Sequence, residues 1–130
     1  MESDCRYLFV YGTLLDNDNE FGAFLKKHGT YVSKGSFNGL LYDLGEYPGA
    51  IYKSDIKQQV HGSILLLNND PEILSVIDEY EGYGLDEAQP NLFVRELLPV
   101  KTTSGVIKCW VYLYNRATSG YRQIPAGRYK

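Results

Sequence analysis

Two strongly β-forming runs, residues 92–101 and 106–114, are separated only by Thr102-Thr103-Ser104-Gly105. A connection that short turns the chain back antiparallel to itself, so the pair reads as a β-hairpin. Parallel neighbours would need crossovers of about a dozen residues or more. The chain has no regular alternation of strand and helix to supply them. Shorter β-like runs fall at 6–11, 31–37, 39–44 and 49–53, with a longer one at 59–67. Only 21–28, stopped by Gly29, and 70–81 read as helices. The tail around Ile124-Pro125-Ala126-Gly127 reads as irregular. Many strands and few helices predict an α+β domain whose sheet curls into a small mixed β-barrel, with the helices packed on it. At 130 residues, without repeat or linker, one domain over 1–130 is expected.

The second helix carries the most informative residue. Asp70 suits the N-cap, Pro71 the first helical position and Gly82 the stop. At about 100° per residue, Ile73, Leu74, Val76, Ile77 and Tyr80 share one face, and Glu72, Ser75 and Glu79 the other. Glu81 falls on the apolar side, four residues after Ile77 and seven after Leu74. A carboxylate there costs free energy unless it has a partner or a task. The negative end of the helix dipole disfavours it further. Both effects raise its pKa, as a general base requires. Glu79 is expected to be solvated, and Asp78 to sit at the boundary and hydrogen-bond the following loop.

Bulk properties exclude several classes. The net charge of −3 and the absence of a basic cluster argue against nucleic-acid binding. No apolar run reaches transmembrane length, and the acidic start Met1-Glu2-Ser3-Asp4 is wrong for a secretory signal. Two cysteines, Cys5 and Cys109, make no disulfide framework, so a cytoplasmic protein with free thiols is expected. No His/Cys/carboxylate set has metal-ligand spacing, no serine sits in a nucleophile elbow and no phosphate loop is present. His61 reads as a solvent-facing strand residue and His28 as a cation complementing a helix end. Tyrosine occurs 12 times against five phenylalanines, which suits a pocket with polar tips and ordinary strands alike. In the run 110–114, Trp110, Tyr112 and Tyr114 share one face, either lining a pocket or packing in the core.

Directly after the first strand comes Tyr11-Gly12-Thr13-Leu14. Gly12 lets the backbone turn sharply, and consecutive N–H groups in such a turn can hold an anion, with Thr13 adding a hydroxyl. Read in order, this turn is followed by Tyr47-Pro48-Gly49-Ala50-Ile51, Val60-His61-Gly62 and Ile77-Asp78-Glu79-Tyr80-Glu81-Gly82. Phe93-Val94-Arg95 and Val111-Tyr112-Leu113-Tyr114 complete the series. The succession resembles the γ-glutamylcyclotransferase-like family, in particular the branch of γ-glutamylamine cyclotransferases and plant AIG2-like proteins. Its strongest pieces are Tyr-Gly-Thr-Leu and Asp-x-x-Glu-Gly, in this order and at this spacing.

The resemblance implies an enzyme that needs no metal or organic cofactor. The α-amine of a γ-glutamyl group attacks its own γ-carbonyl, giving 5-oxoproline and a free amine or amino acid. The family's catalytic glutamate corresponds to Glu81, and its substrate-holding loop to Tyr11, Gly12, Thr13 and Leu14. Tyr112 falls where the family often places a pocket-facing tyrosine. The turn's N–H groups would orient the α-carboxylate or stabilise the developing oxyanion. Family members often carry tyrosine at the position of Phe93, ahead of the retained Arg95, so one hydroxyl is missing here. Asp86 and Glu87 in the loop 83–91 are expected to form an acidic rim that disfavours polycarboxylates such as glutathione. A small-molecule γ-glutamyl amine or γ-glutamyl amino compound is the expected partner, with no nucleic acid or membrane. Two alternatives keep the same site: release of a γ-glutamyl protecting group from a biosynthetic intermediate, and a non-catalytic binding module.

Overall fold

The structure, a computed structural model, describes residues 5–11, 20–45, 48–81, 83, 91 and 93–127. Its elements run β1 (Tyr7–Val10), α1 (Glu20–His28), β2 (Gly29–Asp43), β3 (Pro48–Tyr52), β4 (Gln59–Leu67), α2 (Pro71–Tyr80), β5 (Phe93–Thr102), β6 (Gly105–Tyr114) and β7 (Arg122–Gln123). The hairpin forms as its turn chemistry requires: β5 and β6 pair antiparallel from Phe93↔Tyr114 to Thr102↔Gly105. The Thr102 hydroxyl stitches the turn, donating to the Gly105 carbonyl (2.8 Å) and accepting from the Ser104 N–H (3.1 Å).

The sheet order is β3-β2-β4-β1-β6-β5, and a further β2–β5 pairing, Ser36↔Lys101, closes five of these strands into a barrel. β3 and β7 extend the far half of β2 outside that ring. β1 lies centrally, antiparallel to β4 and parallel to β6. The β-barrel with packed helices is therefore the fold observed. Strand alternation sorts the core into two layers. From β6, Cys109, Val111 and Leu113 join Phe9, Phe37, Val60 and Ile64 in one cluster. Trp110, Tyr112 and Tyr114 point to the opposite face, where they pack with Leu8, Leu25, Ile73 and Ile77 under the two helices.

Three local expectations need correction. Residues 31–37 and 39–44 are not separate pieces but parts of one 15-residue strand, β2. Asn38 does not turn the chain. Its amide donates to the Ser54 and Ile56 carbonyls and so holds the β3–β4 connection against β2. The tail also contributes β7, whose Arg122 and Gln123 pair with Asp43 and Tyr42. Lastly, the buried stripe of α2 is narrower than its composition suggests. Ile73 and Ile77 are buried, whereas Val76 and Tyr80 are 45% and 59% exposed. The inward stripe is thus Ile73, Leu74 and Ile77, continued by Asp78 and Glu81, and this rotation brings two carboxylates toward the barrel.

A Cβ at Gly62 would lie 2.3 Å from the Val10 carbonyl oxygen and 2.7 Å from Phe9 Cζ. Only glycine lets β4 come this near the end of β1. The N-cap of α2 is made as expected, with the Asp70 carboxylate accepting from the Glu72 N–H at 3.0 Å.

Candidate active site

Glu81 is the C-cap of α2. Its N–H donates to the Ile77 carbonyl at 2.9 Å, which keeps it in helical register, and the Tyr83 N–H reaches back to the Asp78 carbonyl at 2.9 Å. The second bond is the six-to-one closure of a Schellman end. Gly82 itself lies outside the described residues. This geometry stands Glu81 one turn beyond Ile77, on the stripe that faces the barrel. It is partly buried. Burial pushes its carboxyl from the ordinary 4.5 up to about 7, and the charge of Asp78, three residues back, adds to the rise. The direction is the one the sequence suggests, and Asp78 adds a cause to it.

Two tyrosines share this neighbourhood. Tyr11 follows β1 and Tyr112 lies on β6, and the charge of Glu81 disfavours ionisation of both. The Tyr11 phenol is pushed well above its usual range, first by burial and then by Glu81, with the Ala50 N–H opposing. Tyr112 is also pushed far up: first by burial, then by its hydrogen bond to Asp78, with the charges of Asp78 and Glu81 adding and Arg95 opposing. Both phenols therefore stay protonated at any working pH.

Each phenol has a single proton to give. That of Tyr11 goes to the Tyr112 carbonyl (2.6 Å), while its oxygen accepts from the Ala50 N–H (3.2 Å), joining β1, β6 and β3. That of Tyr112 goes to Asp78 Oδ1 (2.5 Å). Neither hydroxyl proton is left for Glu81. A carboxylate that draws no hydrogen bond from its nearest phenols is harder to ionise. Nothing from these two phenols therefore offsets the rise that burial and Asp78 impose on Glu81.

Asp78 is half-buried at the boundary, as expected, but its carboxylate is taken by the strands rather than by the loop. Its carboxylate takes Arg95 Nε on Oδ1 (2.8 Å) and Nη2 on Oδ2 (3.1 Å), a bidentate ion pair from α2 to β5. The guanidinium carbon of Arg95 lies 4.4 Å from the Trp110 ring centroid and 5.9 Å from that of Tyr83. Trp110 is held in turn by its Nε1–H donating to the Cys5 carbonyl at 3.0 Å. The motif spacing Asp-x-x-Glu already places Asp78 and Glu81 on one helix face. It gives no hint of partners 17 and 34 residues downstream.

Of the sequence-derived site residues, Tyr11, Glu81 and Tyr112 come together; Gly12, Thr13 and Leu14 lie outside the described residues, as do Asp86 and Glu87. Phe93 is buried, its ring edge-on to Tyr114 with centroids 5.8 Å apart. His61 is partly buried rather than solvent-facing, on a strand stitched to the tail by its N–H donating to the Gly127 carbonyl (2.9 Å). Cys109 is buried and its thiol pushed up to about 12, first by burial and then by Cys5. Among the described residues both cysteines are free and no group of three His, Cys, Asp or Glu is placed to hold a metal ion. No helix in them is long and apolar enough to cross a membrane.

Comparison with solved structures finds the same fold in several proteins. An AIG2-like protein from Mus musculus aligns with a TM-score of 0.74 at 21% identity, covering 96% of this chain and 88% of that one. Protein ytfP from Escherichia coli gives a TM-score of 0.68 at 26% identity, covering 94% of each chain. YkqA from Bacillus subtilis gives a TM-score of 0.70 at 18% identity over 95% of this chain, which spans only 39% of YkqA. No curated protein matches. The sequence model described as gamma-glutamyl cyclotransferase, AIG2-like matches residues 8–130. That span runs from the second residue of β1 through β7, and the chain belongs to this family.

Proposed function

We propose that this protein is a γ-glutamyl cyclotransferase in which Glu81 moves the protons of an intramolecular acyl transfer. The observation that supports this reading most is a carboxyl raised to about 7 on the helix end that faces β1 and β6. Free α-amino groups titrate at about 8, so an ordinary glutamate would be a base roughly four units too weak, an uphill transfer of about 5 kcal/mol. At about 7 the mismatch shrinks to roughly one unit, or about 1.4 kcal/mol.

The chemistry then balances without water. The substrate α-ammonium gives a proton to Glu81, and the free amine attacks the γ-carbonyl carbon. The new C–N bond closes a five-membered ring, and the original γ-amide C–N bond breaks. Two protons leave the attacking nitrogen and two arrive at the departing one, with Glu81 as the carrier. The products are 5-oxoproline and an amine or amino acid. Holding both ends of one substrate in place replaces a random encounter with a near-attack geometry. The loop after Tyr11, with Gly12, Thr13 and Leu14, is assigned to the substrate carboxylate or oxyanion. Tyr112 borders the same site. The acidic Asp86 and Glu87 favour γ-glutamyl amines over polycarboxylates such as glutathione.

The test is release of 5-oxoproline from a panel of γ-glutamyl amines, γ-glutamyl amino acids and glutathione. Turnover of at least one member, lost by about 10²–10⁴-fold in Glu81→Gln with substrate binding retained, is the expected result. No product from any member, with ligands still raising the melting temperature, would instead make the protein a binding module.

A further inference from the structure

Arg95 and Tyr112 are direct partners across the β5–β6 pair, so their side chains leave the sheet side by side. Both end on one carboxylate, that of Asp78. The last turn of α2 contains no basic residue, although a helix C-terminus favours one. Arg95 brings that cation from the sheet. Its guanidinium sits over the Trp110 ring, and Trp110 is pinned to the Cys5 carbonyl. The clamp therefore rests on β5, β6 and the segment before β1, while its load is the turn that carries Glu81.

We propose that Arg95 and Asp78 are positioning residues for the Glu81 carboxylate: their ion pair fixes the last turn of α2 against the sheet and keeps the single proton of Tyr112 turned away from Glu81. The proposal rests on Glu81 being the acid/base of the cyclotransferase reading. Asp78, on the same helix, is the charge that acts on Glu81; the charge of Glu81 in turn reaches Tyr11, just after β1, and Tyr112 on β6, and Arg95 on β5 stands behind Asp78. Asp78 opposes ionisation of Glu81, Arg95 moderates that opposition, and Asp78 occupies the one phenol proton that would otherwise be free to stabilise the carboxylate. The pair thus works as a governor: removing either member has the opposite effect on Glu81 from removing the other.

Carboxyl-carbon NMR titration of Glu81 reads this directly, without turnover. In Arg95→Met the uncompensated Asp78 should raise the Glu81 midpoint by about one unit, with the acidic limb of kcat/KM following. In Asp78→Asn, which retains an oxygen to accept from Tyr112, the midpoint should fall by about one unit. Combining the two substitutions should return it toward wild type. Arg95→Lys keeps the charge but loses the fork; it should leave the midpoint near wild type while lowering kcat more than it raises KM. An unchanged midpoint in folded Asp78→Asn, or in Arg95→Met where it folds, would overturn the proposal, as would an unchanged kcat in Arg95→Lys. Midpoints that shift as stated in a protein that releases no 5-oxoproline would support the clamp and overturn the cyclotransferase reading alone.

Discussion

Holding Glu81 at a pKa of about 7 costs stability, and the sign of that cost can be tested. Below its ordinary value of 4.5 the carboxyl is protonated in folded and unfolded chains alike. Between 4.5 and about 7 the folded protein keeps a proton that the unfolded chain has released, so stability falls as pH rises through this window. Above it the loss is constant, at most about 3 kcal/mol. Glu81→Gln, neutral and of similar shape, should therefore stabilise the protein by about 1–3 kcal/mol at pH 8 and by nothing at pH 4.5, as read from urea unfolding at both values. In the wild type, kcat/KM should rise with pH through a limb near 7, where the base form appears. A limb near 4.5 would mean that an ordinary, solvated glutamate is at work. Glu81 was legible because it breaks the apolar pattern of its helix. The partners of Asp78 were not legible because they sit on distant strands, and no local pattern reports a contact made by folding.

α2 stands on a capped start and two buried isoleucines. Asp70→Ala should cost about 1 kcal/mol through the lost cap. Ile77→Ala, at a fully buried site, should cost about 2–5 kcal/mol, whereas Val76→Lys on the exposed side should change stability by less than about 0.5 kcal/mol. Denaturant midpoints of the three variants check the orientation of the helix. The composition of α2 fixes its limits well, since Asp70, Pro71 and the apolar spacing all act locally. Its rotation is another matter: Val76 and Tyr80 are as apolar as Ile73, and only the sheet decides which of them it covers. β2 taught the converse. Asn38 falls between two β-like runs, yet it is occupied as a bracket to Ser54 and Ile56, and the strand runs on.

Across the whole molecule, the barrel is locked by its tail as well as by its strands. The Ile124 N–H donates to the Leu41 carbonyl (2.7 Å), and the His61 N–H to that of Gly127 (2.9 Å), so the tail ties β2 to β4. Gly127 has φ +69°, and a Cβ there would stand 1.8 Å from the Gln59 carbonyl oxygen. Gly127→Ala should accordingly lose about 2 kcal/mol or more, measured by chemical denaturation, although nothing beyond one methyl group is added. A curled sheet was legible from the hairpin and the shortage of helices. The strand order was not, because pairings such as Leu8↔Trp110 and Ser36↔Lys101 join residues far apart in the chain.

The central place of β1 has a consequence for how the molecule comes into being. Its two flanks are filled by β4 and β6, the second of which ends at Tyr114. While a nascent chain is still short of that point, the oily strand Leu8–Phe9 keeps an open edge, an invitation to stick to other chains. The carboxyl at 81 likewise waits for Tyr112 before its surroundings exist. Completion of the fold and completion of the candidate site should then be a single late event, so that a growing polypeptide passes through no stage at which the surroundings of Glu81 are assembled on an unfinished sheet.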